Sequence, residues 1–124
     1  MSIRTTRKQY DRFVSKVYKA WDAVGMGGWQ LVVRMMRLND DVAAETNSDY
    51  FQRRIVITMN SHIVRKQTTA FWDDIAVHEV AHGLLAPLTE IAKMRYCTDD
   101  DVDSANHEVV RRLIPLIERA MKKP

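Results

Sequence analysis

The chain has 124 residues, of which 46% are hydrophobic and 28% are charged, a balance typical of a soluble globular protein. This is the length of one ordinary domain and leaves no room for two, so we expect a single domain over residues 1–124. The 19 basic and 16 acidic residues give a net charge of +3, too small an excess to indicate nucleic-acid binding. The single cysteine excludes an internal disulfide and a cysteine-based zinc site.

The hydropathy of the chain predicts neither a signal peptide nor a membrane span. We therefore expect a cytoplasmic protein that does not bind membranes. The sequence carries no signal for an oligomeric state.

The first half of the sequence predicts one helix and two strands. Apolar residues recur with helical spacing from Tyr10 to Trp21, and glycines from Gly25 onwards end the pattern. Residues 29–36 and 50–59 are rich in β-branched and other apolar residues and predict strands. The polar segment between them, residues 39–49, is expected to be a loop.

The second half predicts helices. Residues 71–85 form a helix capped by Asp73 or Asp74, and Pro87 is expected to end or restart it. A short helical stretch near residues 63–70 and another at residues 89–96 flank it. The acidic run from Asp99 to Asp103 is expected to be a loop before a last helix, which Pro115 should kink. The fold class is therefore α+β.

A sequence with recognisable chemistry lies in the predicted helix 71–85, where residues 78–82 read H-E-V-A-H. Residues four apart project from the same face of a helix, so His78 and His82 can hold one zinc ion. Glu79 follows the first histidine and can act as the general base on a water molecule activated by the metal.

The residues around this motif are uncharged. Ile75 and Ala76 precede it and Gly83 and Leu84 follow it, which predicts a buried helix. Burying two histidines and a glutamate without partners is costly, and a bound metal would remove that cost.

The motif and its flanks resemble the zincin metallopeptidases. The order of elements, an N-terminal helix, a small sheet, the motif helix and a further helix, is similar to minimal gluzincins and to small zincin-like proteins of phage genomes. The resemblance implies a compact zincin-like fold with a sheet of two or three strands, one Zn²⁺ per chain and a phage or prophage source. It also implies that the helix after the motif supplies a third metal ligand.

Two neighbouring residues are candidates for that ligand. The resemblance carries the role to Glu108, near the start of the last helix. On a helical wheel, however, Glu108 lies opposite the apolar stripe, whereas His107 lies nearer its edge and would give three histidine ligands. We expect Glu108, with His107 as the alternative.

Substrate contacts are expected along a strand. Zincins bind extended peptides at the edge of their sheet, a form of β-augmentation. The second predicted strand would be that edge, with Arg53, Arg54, Ile55 and Val56 as substrate-binding residues. An oxyanion donor is also expected, and Tyr50, His62 and Tyr96 all stay open.

The sequence therefore predicts a zinc metallopeptidase that hydrolyses a peptide bond in a peptide or protein substrate. Two alternatives keep the same fold: a catalytically inactive zincin-like interaction module, and a processing peptidase dedicated to one partner protein. A nucleic-acid binder built on the first and last helices has no recognisable motif.

Overall fold

The structure is a computed structural model and describes residues 2–25, 28–49, 52–64, 66–93 and 98–122. Within these ranges the chain is α+β, as predicted. Its elements in chain order are β1 (Ile3–Arg4), α1 (Arg7–Val24), β2 (Gln30–Met36), β3 (Ala44–Asp49), β4 (Arg54–Asn60), β5 (His62–Ile63), α2 (Thr69–Lys93) and α3 (Asp99–Lys122).

Helix α1 confirms the first predicted helix, and its two ends have defined caps. The Thr6 hydroxyl accepts a hydrogen bond from the Gln9 backbone N–H, and the Gln9 side chain accepts one from the Thr6 backbone N–H. At the other end, Gly25 has a φ of 67°, a left-handed conformation that glycine adopts without a steric penalty. The helix buries Phe13, Val17, Ala20 and Trp21.

The main sheet has three strands in the order β2-β4-β3. Strand β4 is the central strand, parallel to β2 and antiparallel to β3, and β1 pairs with β5 in a separate two-stranded sheet. The predicted loop over residues 39–49 is therefore partly wrong, because residues 44–49 form β3. Their sequence, AETNSD, has low strand propensity, and pairing with the strongly apolar β4 overrides that preference.

Strand β4 joins the sheet to the helices. Ile55, Ile57 and Met59 are fully buried and belong to a core cluster that also includes residues of α1 and α2. Asn60 is the last residue of the strand and is fully buried. Its amide donates to the carbonyl oxygens of Asn39 and Val42, so it satisfies the backbone of the preceding loop.

Helix α2 is longer than predicted. It begins at Thr69 after Thr68, whose hydroxyl accepts from the Phe71 N–H, and it continues past Pro87 to Lys93. The predicted break at Pro87 is therefore wrong. The helix packs against α1, β3, β4 and α3, and this packing outweighs the backbone hydrogen bond that a proline cannot make. A helix at residues 63–70 is also absent from the described residues, where β5 and an irregular segment precede α2.

Helix α3 begins at Asp99, so the predicted loop over the acidic run from Asp99 to Asp103 is wrong. The Thr98 hydroxyl accepts from the Asp101 N–H, so the acidic run forms the first turns of a helix, where carboxylates interact favourably with the helix dipole. The helix contains Pro115 and buries Val102, Val110, Ile117 and Met121. Among the described residues, no helix has both the length and the apolar character needed to cross a membrane.

Candidate metal centre

Three histidines meet between α2 and α3. His78 and His82 lie one turn apart on α2, and their Nε2 atoms are 3.0 Å apart. His107 comes from α3, with its ring centroid 4.7 Å from that of His82 and 6.2 Å from that of His78. One ring nitrogen from each residue lies within 4.8 Å of the others. A tetrahedral ion held at about 2.0–2.1 Å from three nitrogens requires a convergence of this kind.

The neighbours of two of these rings determine which nitrogen is available. His82 Nδ1 donates to the side-chain oxygen of Asn106 at 3.1 Å, and His107 Nδ1 donates to the carbonyl oxygen of Asp103 at 2.8 Å. The Asn106 amide in turn donates to the Thr89 hydroxyl at 2.8 Å, which orients its oxygen towards His82. Both rings therefore keep the lone pair on Nε2, as a metal ligand must.

The surroundings of His78 and His82 favour the uncharged form of both rings. Burial, reinforced by the neighbouring His78 and His107 rings, lowers the pKa of His82 to about 4. Burial also lowers the pKa of His78, and His107 adds to that effect. At neutral pH these imidazoles are uncharged, and only the neutral ring can donate its lone pair to a metal.

Glu79 lies beside the histidines in a more enclosed environment. It is only 6% exposed, and this burial raises its pKa to about 7. The Thr46 hydroxyl on β3 lies 2.9 Å from Glu79 Oε1, to which it donates, and 3.0 Å from the Glu79 carbonyl oxygen. A carboxyl group with a pKa near 7 can accept and release a proton at neutral pH.

These side chains line a cleft of about 420 Å³ between α2, α3 and β3. The side of the cleft opposite α2 includes the edge strand from Ala44 to Ser48. The cleft continues past the histidines along α2 to Glu90 and Lys93. Its volume lies within the range of small-molecule and peptide sites.

Of the two candidates for the third ligand, the structure brings His107, the alternative, next to His78 and His82. His107 is part of the group, and Glu108, our first expectation, is not. Consecutive helical residues point about 100° apart, so only one of the two can face α2. Glu108 lies on an exposed part of α3. The apolar stripe on the helical wheel indicated this orientation.

The predicted substrate-binding strand requires a correction. Strand β4 is central and not at the edge, so Arg53, Arg54, Ile55 and Val56 do not line the cleft in the described part of the chain. Ile55 is fully buried beneath α2, where a Cβ on Gly83 would lie 3.2 Å from its Cγ2. Arg53 lies in the turn before β4, with a left-handed φ of 51°. The edge strand on the cleft is β3.

The candidate oxyanion donors are not among the described cleft residues. The Nδ1 atom of His62 lies at hydrogen-bond distance, 3.0 Å, from the hydroxyl of the neighbouring Ser61. His62 lines a separate depression with Arg4 and Arg7. Tyr50 and Tyr96 fall outside the residues that the structure describes.

Sequence analysis missed three residues that shape this site. Thr46 was assigned to a loop, and Asn106 had no role although it precedes His107. Glu90 likewise had no role, yet it lines the cleft. The spacing of residues 78, 82, 86 and 90 would have identified it, had the helix been predicted to pass Pro87.

The residues present fit a zinc ion, since three imidazoles that leave a fourth position open are one of the donor sets of catalytic zinc sites. Comparison of the chain with protein families, with curated proteins and with solved structures returns no match.

Proposed function

We propose that this protein is a zinc-dependent peptidase in which His78, His82 and His107 hold the metal and Glu79 is the general base. The observation that carries the proposal is the convergence of three histidine nitrogens within 4.8 Å, in a cleft that also contains a buried glutamate with a raised pKa. A merely structural zinc site would have no use for such a base or for an open cleft.

The chain's own groups supply the proton transfers. Zinc, when bound, lowers the pKa of a water molecule and polarises the carbonyl group under attack. Glu79 accepts a proton from the attacking water and returns it to the amine that leaves. Its pKa of about 7 suits both directions of transfer at neutral pH. Thr46 fixes the carboxylate by its hydrogen bond, and the buried surroundings keep bulk water from competing.

The substrate in this proposal is an extended peptide that adds to the free edge of β3. Strand β3 pairs with β4 on one side, and its other side has no strand partner among the described residues. Backbone hydrogen bonds to such an edge bind a peptide without regard to its sequence. This edge takes the role that sequence analysis gave to residues 53–56.

Zinc content and peptide hydrolysis of the same variants test the proposal. We expect about one zinc per chain in the wild type, and loss of zinc in His78→Ala and His107→Ala. Glu108→Ala is the matched control, because it changes the neighbouring position and should keep the metal. Glu79→Gln should keep zinc and lower hydrolysis of a peptide pool by about 10³-fold.

Several results would contradict it. A wild-type protein without zinc after zinc addition and dialysis would remove the metal centre. Zinc lost in Glu108→Ala and kept in His107→Ala would give the ligand role to the carboxylate. Zinc bound without hydrolysis of any substrate would favour the zincin-like interaction module. Zinc bound with cleavage of one partner protein alone would favour a dedicated processing peptidase.

A further inference from the structure

We propose that Glu90 is a specificity-determining residue that selects substrates with a lysine or arginine two to four residues from the bond cleaved. This inference rests on the proposed function, since it concerns the same cleft. It starts from an unassigned carboxylate at the far end of the cleft, on the same helix as two of the histidines.

The position of Glu90 follows from the geometry of α2. His78, His82, Ala86 and Glu90 are spaced by four and line the same cleft. The eight residues from His82 to Glu90 correspond to about 12 Å along a helix. An extended peptide rises by about 3.3 Å per residue, so this distance spans roughly three to four residues. A lysine or arginine side chain is itself long and covers part of this distance. A basic residue two to four positions from the bond cleaved can therefore reach Glu90.

The carboxylate is held in place but is not neutralised. The Ser48 hydroxyl of β3 donates to Glu90 Oε1 at 2.9 Å, which leaves the second oxygen as an acceptor. No lysine or arginine nitrogen lies within 4 Å of Glu90 in the described ranges. The nearby cation, Lys93, pairs with Asp103 at 3.5 Å. A partly buried carboxylate without a cation attracts a basic group from a ligand.

The charge of the cleft differs from that of the whole chain. The protein has a net charge of +3, yet the described cleft residues include four carboxyl groups, those of Glu45, Glu79, Glu90 and Asp103, and one lysine. Glu45 is close enough to Glu79 to raise its pKa. The excess of basic residues therefore lies outside the cleft.

A purely structural role for Glu90, as a link from α2 to β3 through Ser48, makes a different prediction. Glu90→Gln distinguishes the two roles, because the glutamine oxygen can still accept from Ser48 while the negative charge is lost. Under the structural role this variant keeps the specificity of the wild type. Under our proposal it keeps its zinc and its fold but loses its preference for basic substrates.

The test maps cleavage sites in a peptide pool prepared by digestion of a denatured proteome with a glutamate-specific protease. Zinc-loaded wild-type protein should cut sites with lysine or arginine in the stated window about two- to fivefold more often than their background frequency, the range of a partly exposed ion pair. Glu90→Gln should abolish this enrichment. The matched control, Asp22→Asn, removes an exposed carboxylate of α1 outside the cleft and should retain it.

A binding measurement with the zinc-loaded Glu79→Gln protein checks the same preference without hydrolysis. A dye-labelled peptide from the cleaved set, with its lysine kept or replaced by glutamine, should show a Kd difference of the same size. Cleavage without basic enrichment, or enrichment that persists in Glu90→Gln, would overturn this inference and leave the proposed function standing. Zinc-loaded protein that cleaves nothing would overturn both.

Discussion

The two helices that bring the three histidines together differ in how firmly the rest of the protein holds them. Helix α2 is enclosed by α1, the sheet and α3, and it buries Trp72, Ala76, Val77, Val80 and Ala81 almost completely. Helix α3 packs mainly on α2 and α1 and leaves much of its surface, including Leu116 at 54%, exposed to solvent.

This difference divides the site into two parts. We expect the core to hold the H-E-V-A-H residues in position whether or not a metal is bound, because α1, the sheet and α3 all pack against α2. His107 and Asn106 instead depend on the docking of a largely exposed helix. Local stability follows buried contacts, so the α3 part of the site is the one that a metal should stabilise.

The largest effect is expected in the core around α2. Trp72 is 1% exposed and meets Phe13 edge to face at a centroid distance of 5.8 Å. Trp72→Ala should lower the free energy of unfolding by about 3–5 kcal/mol, measured by urea denaturation. Leu116→Ala on α3 should change it by less than about 0.5 kcal/mol. Trp72→Phe should cost much less than alanine, since the indole N–H has no hydrogen-bond partner among the described residues. Equal losses from Trp72→Ala and Leu116→Ala would refute the contrast.

A pH-dependent effect of somewhat smaller size should come from Glu79. Its pKa is about 7 in the folded chain, against 4.5 for an ordinary glutamate, so the folded state binds more protons between these values. The stability due to Glu79 is therefore present below pH 4.5 and is lost as the pH rises to about 7. In metal-free protein, Glu79→Gln should gain on the order of 3 kcal/mol relative to the wild type between pH 4.5 and pH 8. A difference in unfolding free energy that stays constant with pH would contradict the burial of this carboxylate.

Metal removal should affect the two helices unequally. Zinc at a hundred times its dissociation constant adds about 2.7 kcal/mol to the free energy of unfolding, and chelation should remove it. Hydrogen exchange should then accelerate in residues 102–110 of α3 more than in residues 76–83 of α2. His107→Ala is the control, because chelation should leave its exchange unchanged. Uniform acceleration in both helices would indicate that the metal stabilises the whole fold and not the docking of α3.

The smallest expected effect concerns the orientation of one ring. Asn106→Ala removes the acceptor for His82 Nδ1 and the link to Thr89, and should weaken zinc binding by about 10- to 100-fold. Competition with a chromophoric chelator measures this change. Asn39→Ala, at an exposed position outside the cleft, is the matched control and should leave the zinc affinity unaltered. An unchanged affinity in Asn106→Ala would show that packing alone orients His82.

Local patterns predicted those elements whose own sequence favours them. The apolar spacing of α1 and the apolar run of β4 are strong local signals, and both elements form at nearly the predicted positions. Strand β3 has no such signal, since its polar residues become a strand only by pairing with β4. The length of α2 was underestimated for a similar reason, as tertiary packing tolerates Pro87.

In the candidate site, too, the sequence predicted the local geometry and not the contacts between distant segments. The spacing of His78 and His82 predicts their proximity because one helical turn joins them. The partner from α3 depends on how a second helix rotates about its axis, and that rotation is fixed by contacts distant in sequence. The resemblance favoured Glu108, whereas the amphipathic pattern of α3 favoured His107, the residue that meets the pair.

The strand order β2-β4-β3 has a consequence for how the chain folds. Strands β3 and β4 are close in sequence, since β3 ends at Asp49 and β4 begins at Arg54, so their antiparallel pairing is local and can form early. The parallel pairing of β2 with β4 joins residues as far apart in sequence as Gln30 and Arg54, and such closure is slower. During synthesis β3, which carries Thr46, can be in place on β4 before α2 leaves the ribosome, and α3 follows last. We therefore expect a nascent chain to acquire the ability to hold zinc only after α3 has left the ribosome.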